Sequence, residues 1–323
     1  MSSENLTCLI VDQMHLTIIP MLEEIGFTVN YQPDIKAAEI KDLLAEYDGL
    51  IVRSKLKITE DLLTGSNRLR FIARAGAGVD NVDEAALQKH NIKLLNAPEG
   101  NRDAVGEHTV GLLLALFRHI VTADAEVRRY EWHREANRGE EIMGKTIGII
   151  GYGNMGRSFA KRLQGFDCQV LAYDLDHSII PDDNAYLVSL EQIKNEADVL
   201  SFHIPYTAAN RYLAHETFFN GFRKNIWVLN SSRGEILELK GLVRALQAGK
   251  VKGAALDVLE NEKLNTLTEE QKSYFEYLIK APNVVLSPHI AGWTHESYVK
   301  INQVLTAKIK DILPELRKTK ELD

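Results

Sequence analysis

Thr146-Ile-Gly-Ile-Ile-Gly-Tyr-Gly-Asn-Met-Gly156 is an apolar run that breaks into glycines spaced G-x-G-x-x-G, at Gly151, Gly153 and Gly156. Each glycine has a distinct physical reason: Gly151 permits a tight turn off a strand, Gly153 lets the backbone approach a pyrophosphate, and Gly156 lets helix and strand pack closely. The helix start that follows, through Asn154 and Met155, offers free N–H groups to phosphate. The glycine pattern alone also describes a turn that binds nothing, and its context separates the two readings. Ile147 to Ile150 reads as a buried strand and Arg157 to Leu163 as a helical pattern. Cys168-Gln-Val-Leu-Ala-Tyr-Asp174 is a second strand ending in an acid. Asp174 lies about 20 residues beyond the glycines, where an acid accepts hydrogen bonds from ribose hydroxyls and repels a 2′-phosphate. NAD is therefore expected over NADP. Leu175 and Asp176 bring no basic group that would reverse this, and His177 does so only weakly.

At 323 residues the chain exceeds what one hydrophobic core usually serves, so two domains are expected. A net charge of −7 argues against a nucleic-acid partner, which requires a basic face. Cys8 and Cys168 are too few for a disulfide framework and lack metal-ligand spacing, so two buried thiols in a reducing compartment and no metal site are expected. Met1 to Asn5 is polar and lacks the pattern of a secretory signal. The longest apolar run, Leu112 to Phe117, is too short to span a bilayer, and a cytoplasmic protein without a membrane partner is expected.

Upstream of the glycines, strands at Leu6–Val11, Phe27–Tyr31, Gly49–Val52 and Leu69–Ala73 alternate with helices at Met21–Ile25, Ala37–Ala45 and near Asp61–Leu63. Such alternation implies parallel pairing with right-handed crossovers. The first unit ends near Ala97-Pro98. Gly106 to Val121 reads as a long helix apolar on nearly all faces, hence buried between domains or subunits. Downstream, Leu187–Ile193 reads as helix, Val199–His203 as strand, Trp227–Asn230 as strand and Leu239–Gln247 as helix. Gly253–Asp257 and Val284–Ser287 are further strands. Ligands in open α/β sheets sit at the carboxyl ends of strands, so Asp174, His203, Ser231, Asp257 and His289 are expected to face one crevice.

Three side chains there form a kit for carbonyl reduction: Arg233 in Asn230-Ser-Ser-Arg-Gly-Glu235, Glu262 in Asp257-Val-Leu-Glu-Asn-Glu262, and His289 in Ser287-Pro-His-Ile-Ala-Gly-Trp293. Arginine supplies a permanent fork of donors for a carboxylate and a polarised carbonyl. Histidine donates a proton as hydride arrives and takes one in reverse. A neighbouring carboxylate orients the imidazole and raises its pKa. Singly, the arginine suits an ion pair, the glutamate a solvated charged stretch and the histidine a loop; their common position after strand ends of one fold favours the site.

These motifs resemble the D-isomer-specific 2-hydroxyacid dehydrogenases, most closely the D-3-phosphoglycerate dehydrogenases, over nearly the whole chain. The resemblance rests on Arg74-Ala-Gly-Ala-Gly-Val-Asp-Asn-Val-Asp83, Asn96-Ala-Pro-Glu-Gly-Asn-Arg-Asp-Ala-Val-Gly-Glu-His108 and the glycine fingerprint. It extends through His203-Ile-Pro-Tyr-Thr207, Asn230-Ser-Ser-Arg-Gly234, Ala254-Ala-Leu-Asp-Val258 and Pro288-His-Ile-Ala-Gly-Trp293. It implies an α/β fold of two domains, a flavodoxin-like substrate-binding domain (1–98 plus 293–323) and a Rossmann NAD-binding domain (99–292), with an active-site cleft between them. It implies catalysis by Arg233, Glu262 and His289, and an NAD site lined by His203, Pro205, Ser231, Ser232, Asp257 and Gly292. Backbone N–H groups of Ala77 and Gly78, with Asn101 nearby, are expected to hold the substrate carboxylate. Arg53-Ser54-Lys55 resembles a phosphate-holding stretch, and Trp132-His-Arg134 a segment that reaches the neighbouring subunit's site. The implied reaction is NAD-dependent oxidation of D-3-phosphoglycerate, the first step of the phosphorylated serine pathway, by a homodimer joined through the helix Gly106 to Val121.

Two features depart from the family pattern. Lys263 follows Glu262 where proline is usual, and an extra segment, Leu264 to Ala281, separates Glu262 from His289 and contains an amphipathic helix at Glu269–Ile279. The chain stops at Asp323, so feedback through a C-terminal regulatory domain is not expected. Reduction of glyoxylate, hydroxypyruvate or another 2-oxo acid is the alternative within the enzyme class. An NAD-sensing binding protein like the family's corepressors is the alternative outside it.

Overall fold

The computed structural model describes residues 6–320, and the chain divides into two compact units. One comprises Met1–Asn101 and Trp293–Asp323, the other Arg102–Gly292.

In the first unit β1 (Leu6–Ile10), β2 (Phe27–Tyr31), β3 (Gly49–Val52), β4 (Phe71–Arg74) and β5 (Lys93–Asn96) form a sheet in the order β2-β1-β3-β4-β5. Every pair in it is parallel, and the order is that of flavodoxin-like folds. Alternate side chains feed two cores, as the two-residue period of a strand requires. Cys8, Ile10, Ile51, Phe71 and Ala73 join Ile18 and Leu22 and the helix His295–Lys320, through Ile301, Leu305 and Ile309. Leu9, Val11, Leu50, Val52 and Ile72 face the other way, against Ile40, Leu44 and Leu63. A Cβ on Gly49 would lie 2.1 Å from the Phe71 ring, so glycine there makes room for the phenyl group. β5 and the helix Glu84–Lys89 before it were not legible in the sequence. β5 is an edge strand with an exposed Lys93 and only two apolar residues, too short a pattern to register.

The second unit carries β6 (Thr146–Ile150), β7 (Gln169–Tyr173), β8 (Tyr186–Leu187), β9 (Val199–Phe202), β10 (Ile226–Asn230), β11 (Val251–Leu256) and β12 (Val284–Leu286). Their order is β12-β11-β10-β9-β6-β7-β8, again all parallel. Numbered from β6, the first six strands follow the 3-2-1-4-5-6 order of dinucleotide-binding sheets, and β12 adds a seventh. Leu200, Phe202, Val228, Ala254 and Leu256 pack with the helix Leu239–Gln247 on one face. Val199, Trp227, Leu229 and Ala255 pack on the other with Phe159 and Phe117.

Three sequence-based expectations change. The long helix runs Pro98–Phe117, opening on a proline whose missing N–H costs nothing at a first helical position. It stops before His119, whose φ of +51° breaks the helix ahead of Ile120–Arg128. Its apolar side chains Leu112, Leu113, Leu116 and Phe117 are consumed by the core of their own unit, not left for a partner. Leu187–Ile193 is not one helix: the edge strand β8 comes first, and the helix Leu190–Glu196 starts after Ser189, whose hydroxyl accepts the N–H of Gln192 at 3.2 Å.

Candidate active site

The glycine turn leaves β6 at the point where the chain crosses first to β7 on one side and later to β9 on the other, the kind of switch point at which open α/β sheets bind ligands. Gly151 has φ +94°, and a Cβ there would lie 2.6 Å from the carbonyl oxygen of His203. A Cβ on Gly156 would lie 2.1 Å from the carbonyl oxygen of Gly151. Nothing stands within 4 Å of a Cβ placed on Gly153, so that glycine faces open space. The helix Asn154–Arg162 begins directly behind it, three residues earlier than its apolar pattern suggested, with Asn154 and Met155 in its first turn. Tight turn, open cradle and helix start together fit a pyrophosphate.

Asp174 follows β7 and is turned toward this cradle: Oδ2 accepts the N–H of Tyr152 at 2.7 Å, and Oδ1 accepts that of Asp176 at 2.9 Å. An ionised carboxylate has about four lone-pair sites, which leaves acceptor capacity for ribose hydroxyls. His203 is buried, with Nε2 2.8 Å from Oγ of Ser201 and no hydrogen-bond partner for Nδ1 among the described residues. Burial pushes its pKa down to about 3, so it is neutral at ordinary pH. Pro205 accepts Nδ2 of Asn210 through its carbonyl at 2.7 Å.

Glu262 and His289 sit on the two loops that follow the carboxyl ends of β11 and β12. Nδ1 of His289 lies 2.9 and 3.0 Å from the two carboxylate oxygens of Glu262. The hydrogen bond that the imidazole donates to Glu262 raises its pKa above the ordinary value. Burial and the positive charge of Arg233 oppose that rise without cancelling it, and Asp257 adds to it. Arg233 follows β10, and its Nη1 donates to the carbonyl of Ser232 at 2.7 Å. The loop around it is folded on Asn230, whose Oδ1 accepts the N–H and hydroxyl of Ser232 while its Nδ2 donates to the carbonyl of Arg233. Oγ of Ser231 meets Oγ1 of Thr109 at 3.0 Å.

His289 has φ +57°, an uncommon conformation for a residue with a side chain. Asp257 holds it there. Its carbonyl accepts the N–H of His289 at 2.7 Å, and its carboxylate accepts the N–H groups of Ile290 and Ala291 at 2.9 and 2.8 Å. Oγ of Ser287 donates to the same carboxylate at 2.6 Å, and Nε2 of His108 stands 3.4 Å away. Burial by itself would raise this carboxyl's pKa, and the bonds from His108, Ser287 and the two amides outweigh it and hold the pKa below the usual range. The side chain of Asp257 is wholly enclosed, and its carboxylate shapes the His289 turn. Gly292 lies in the turn that follows, just before the helix His295–Lys320.

In the first unit, the guanidinium of Arg53 stacks 3.8 Å above the ring of Trp293, with the Tyr298 ring at 5.9 Å. The N–H of Arg53 is bound by the buried Asp12 at 2.6 Å, while Ser54 is exposed. Nζ of Lys55 is committed to the carbonyl oxygens of Pro33 and Ile35. The glycine-rich loop turns at Gly76, with φ +144°, and Asn96 clamps it by donating to the carbonyl of Ala77 at 2.8 Å, just before Gly78. Oδ1 of Asn101 is buried without a partner among the described residues.

Asn230, Ser287 and His108 were not singled out from the sequence; for His108 the available signal is the polar pair His108-Thr109 directly before the apolar stretch Val110–Phe117 of its helix. Among the described residues no group of three or more histidine, cysteine or acidic side chains is placed to hold a metal ion, and no helix is long and apolar enough to cross a membrane.

Residues 110–291 match the model of the D-isomer specific 2-hydroxyacid dehydrogenase, NAD binding domain. The chain is 32% identical over 305 residues to a D-3-phosphoglycerate dehydrogenase of Synechocystis, covering 94% of this chain and 53% of that protein. It is 34% identical over 273 residues to a hydroxypyruvate reductase of Thermotoga maritima, covering 84% of this chain and 86% of that protein. The crystal structure of the TT0316 protein from Thermus thermophilus superposes with a TM-score of 0.78 at 28% identity, over 93% of this chain and 94% of that one. The chain spans little more than half the length of the phosphoglycerate dehydrogenases it matches, 53% and 57% in two of them. Glycine cradle, acid after β7, the His289–Glu262 pair and these matches agree: the chain belongs to the D-isomer specific 2-hydroxyacid dehydrogenase family.

Proposed function

We propose that the protein is an NAD-dependent dehydrogenase of D-2-hydroxy acids, interconverting a D-2-hydroxy acid and its 2-oxo acid. The observation that carries this reading is the contact of Nδ1 of His289 with both oxygens of Glu262, on loops at the carboxyl ends of the parallel strands, where Arg233 and the glycine cradle also follow their strands. Gly151, Gly153, Asn154, Met155 and Gly156 would hold the pyrophosphate of NAD and Asp174 its ribose, and NAD supplies the hydride acceptor or donor. In reduction, Arg233 polarises the 2-oxo group and anchors the carboxylate with its fork of donors. His289 in its imidazolium form gives the proton from Nε2 to the carbonyl oxygen, because Nδ1 is held by Glu262. The Glu262 carboxylate stabilises the imidazolium before transfer and keeps the ring's orientation afterwards. In oxidation, neutral His289 takes the hydroxyl proton through the same nitrogen.

For the substrate, D-3-phosphoglycerate is the first candidate, with Arg53 and Ser54 at its phosphate and Ala77, Gly78 and Asn101 at its carboxylate. A second reading, reduction of hydroxypyruvate or glyoxylate, is favoured by Lys55, whose ammonium is occupied by Pro33 and Ile35 and is not directed to a phosphate. Parallel assays with D-3-phosphoglycerate and NAD, and with hydroxypyruvate or glyoxylate and NADH, distinguish the two. Turnover with none of them, alongside tight NADH binding, would refute the enzyme reading. His289→Ala is expected to abolish turnover and retain NADH binding. A homodimer accompanies this reading, and its support is the exposed apolar strip Ile120, Val121, Val127, Tyr130 and Trp132. Light scattering of Val121→Glu tests it, a monomer being expected.

A further inference from the structure

The turn that carries Glu262 has little packing to hold it. The Glu262 side chain is 46% exposed, and the residue that follows is Lys263, with no ring to restrict the backbone. A carboxylate on so free a turn would sample many positions, and contact with one imidazole nitrogen requires a restraint on both sides of it.

Downstream, the restraint is Asn261. Its Oδ1 accepts the N–H of Lys263 at 3.0 Å, an Asx turn that spans Glu262, and its Nδ2 donates to Oγ1 of Thr266 at 3.2 Å. Thr266 closes the same loop by donating its N–H and hydroxyl to the carbonyl of Lys263, at 2.8 and 2.9 Å. Upstream, the restraint is Glu260, whose carboxylate joins three separate elements. Oε1 accepts the hydroxyl of Tyr212 and Nε2 of Gln271, each at 2.9 Å, and Oε2 accepts the N–H of Leu239 at 3.0 Å.

Gln271 links this hub to the helix Glu269–Lys280. Its other amide atom, Oε1, accepts the N–H of Thr268 at 3.1 Å, while Oγ1 of Thr268 accepts its N–H at 3.2 Å, a reciprocal cap that fixes the side chain. The helix itself is anchored by Leu278 in the core and by Lys240, 3.1 Å from Glu270. Gly234, the neighbour of Arg233, completes the contact from the opposite side, since a Cβ there would lie 1.8 Å from the carbonyl oxygen of Leu259.

We propose that Glu260, Asn261 and Gln271 are positioning residues that hold Glu262 against Nδ1 of His289, with the helix Glu269–Lys280 as their buttress. This rests on the roles assigned above to Glu262 and His289. The three residues touch no reacting atom and act only through Glu262. The segment Leu264 to Ala281 thereby supplies the rigidity that the chemistry of the backbone after Glu262 does not.

The charged groups acting on His289 are Glu262, Arg233 and Asp257, and the scaffold sets the position of the first. The test is a proton NMR titration of the full chain, the His289 imidazole resonance being the one absent from His289→Ala. In the unaltered protein His289 is expected to titrate above the ordinary histidine value. Gln271→Ala and Asn261→Ala are each expected to move its midpoint down toward that value. Their kcat with hydroxypyruvate and NADH is expected to fall about tenfold, the scale of a small misplacement, with KM little changed. Asn261→Asp keeps the acceptor for Lys263 and is expected to restore part of the shift, and Lys272→Ala on the exposed face of the same helix is expected to change nothing. Variants that retain the melting temperature and titrate like the unaltered protein would overturn the positioning role while leaving the Glu262–His289 pair intact. An ordinary midpoint in the unaltered protein would overturn the pair itself, and this inference with it.

Discussion

Glu262→Gln removes the negative charge beside His289 and keeps the length of the side chain and one acceptor oxygen. With Nδ1 at 2.9 and 3.0 Å from the two oxygens, the carboxylate is the leading cause of the raised imidazole pKa. The side chains are 48% and 46% exposed, so solvent screens the pair and its contribution to stability is about 0.5 kcal/mol. The sign follows from the direction of the shift. A pKa raised on folding gives stability that is fully present below the unfolded histidine value and is lost as pH rises through the folded one. The variant is therefore slightly less stable than the unaltered protein in acid and equally stable in alkali.

Turnover is the more sensitive readout. Reduction requires the imidazolium, so kcat for a 2-oxo acid falls as pH rises through the His289 pKa, and in the variant that fall begins at lower pH. Oxidation requires neutral imidazole, and its rise with pH begins earlier by the same displacement. A positioned general acid contributes about 100-fold or more; losing the group that orients and charges it should remove about tenfold of that even at low pH. The assay follows NADH absorbance across a pH series in both directions, with melting curves at the ends of the series. Coincident pH midpoints for the variant and the unaltered protein, in either direction, would refute the account of Glu262.

Gly156→Ala places a Cβ 2.1 Å from the carbonyl oxygen of Gly151, a backbone clash that no rotamer relieves. A destabilisation of about 1–3 kcal/mol and loss of NADH binding are expected, read by denaturant melts and fluorescence titration. Asp257→Ala strips the enclosed amides of Ile290 and Ala291 of their acceptor, at about 1–3 kcal/mol each. The His289 turn should loosen, with a lower melting temperature and turnover falling further than NADH affinity. Asp174→Ala frees the N–H of Tyr152 and removes the charge proposed to meet the ribose. NADH affinity should fall about tenfold and discrimination against NADPH should weaken, measured by paired titrations.

How much was legible in the sequence follows from how locally each signal is written. β6, the glycine turn and Asp174 were readable because strand, turn and helix start are contiguous and each glycine has a steric reason within a few residues. β5 and β8 escaped because a short edge strand leaves almost no periodicity. The break at His119 escaped because a left-handed residue in an apolar stretch has no composition signal when it is not glycine.

By itself the sequence determined two parallel α/β units, the dinucleotide cradle, and which arginine, glutamate and histidine stand after strand ends. Alternation and glycine spacing are properties of neighbouring residues, and neighbours are what a sequence records. Only the tertiary structure decided that Asp257 binds the amides of the His289 turn, that Lys55 is spent on backbone carbonyls, and that Gln271 bonds Glu260 while Asn261 bonds Lys263, on either side of Glu262. Hydrogen bonds are directional and short, so a polar side chain's role is set by which donors the fold brings within 3 Å or so of it, and those partners can be as far apart along the chain as Thr109 and Ser231, 122 residues.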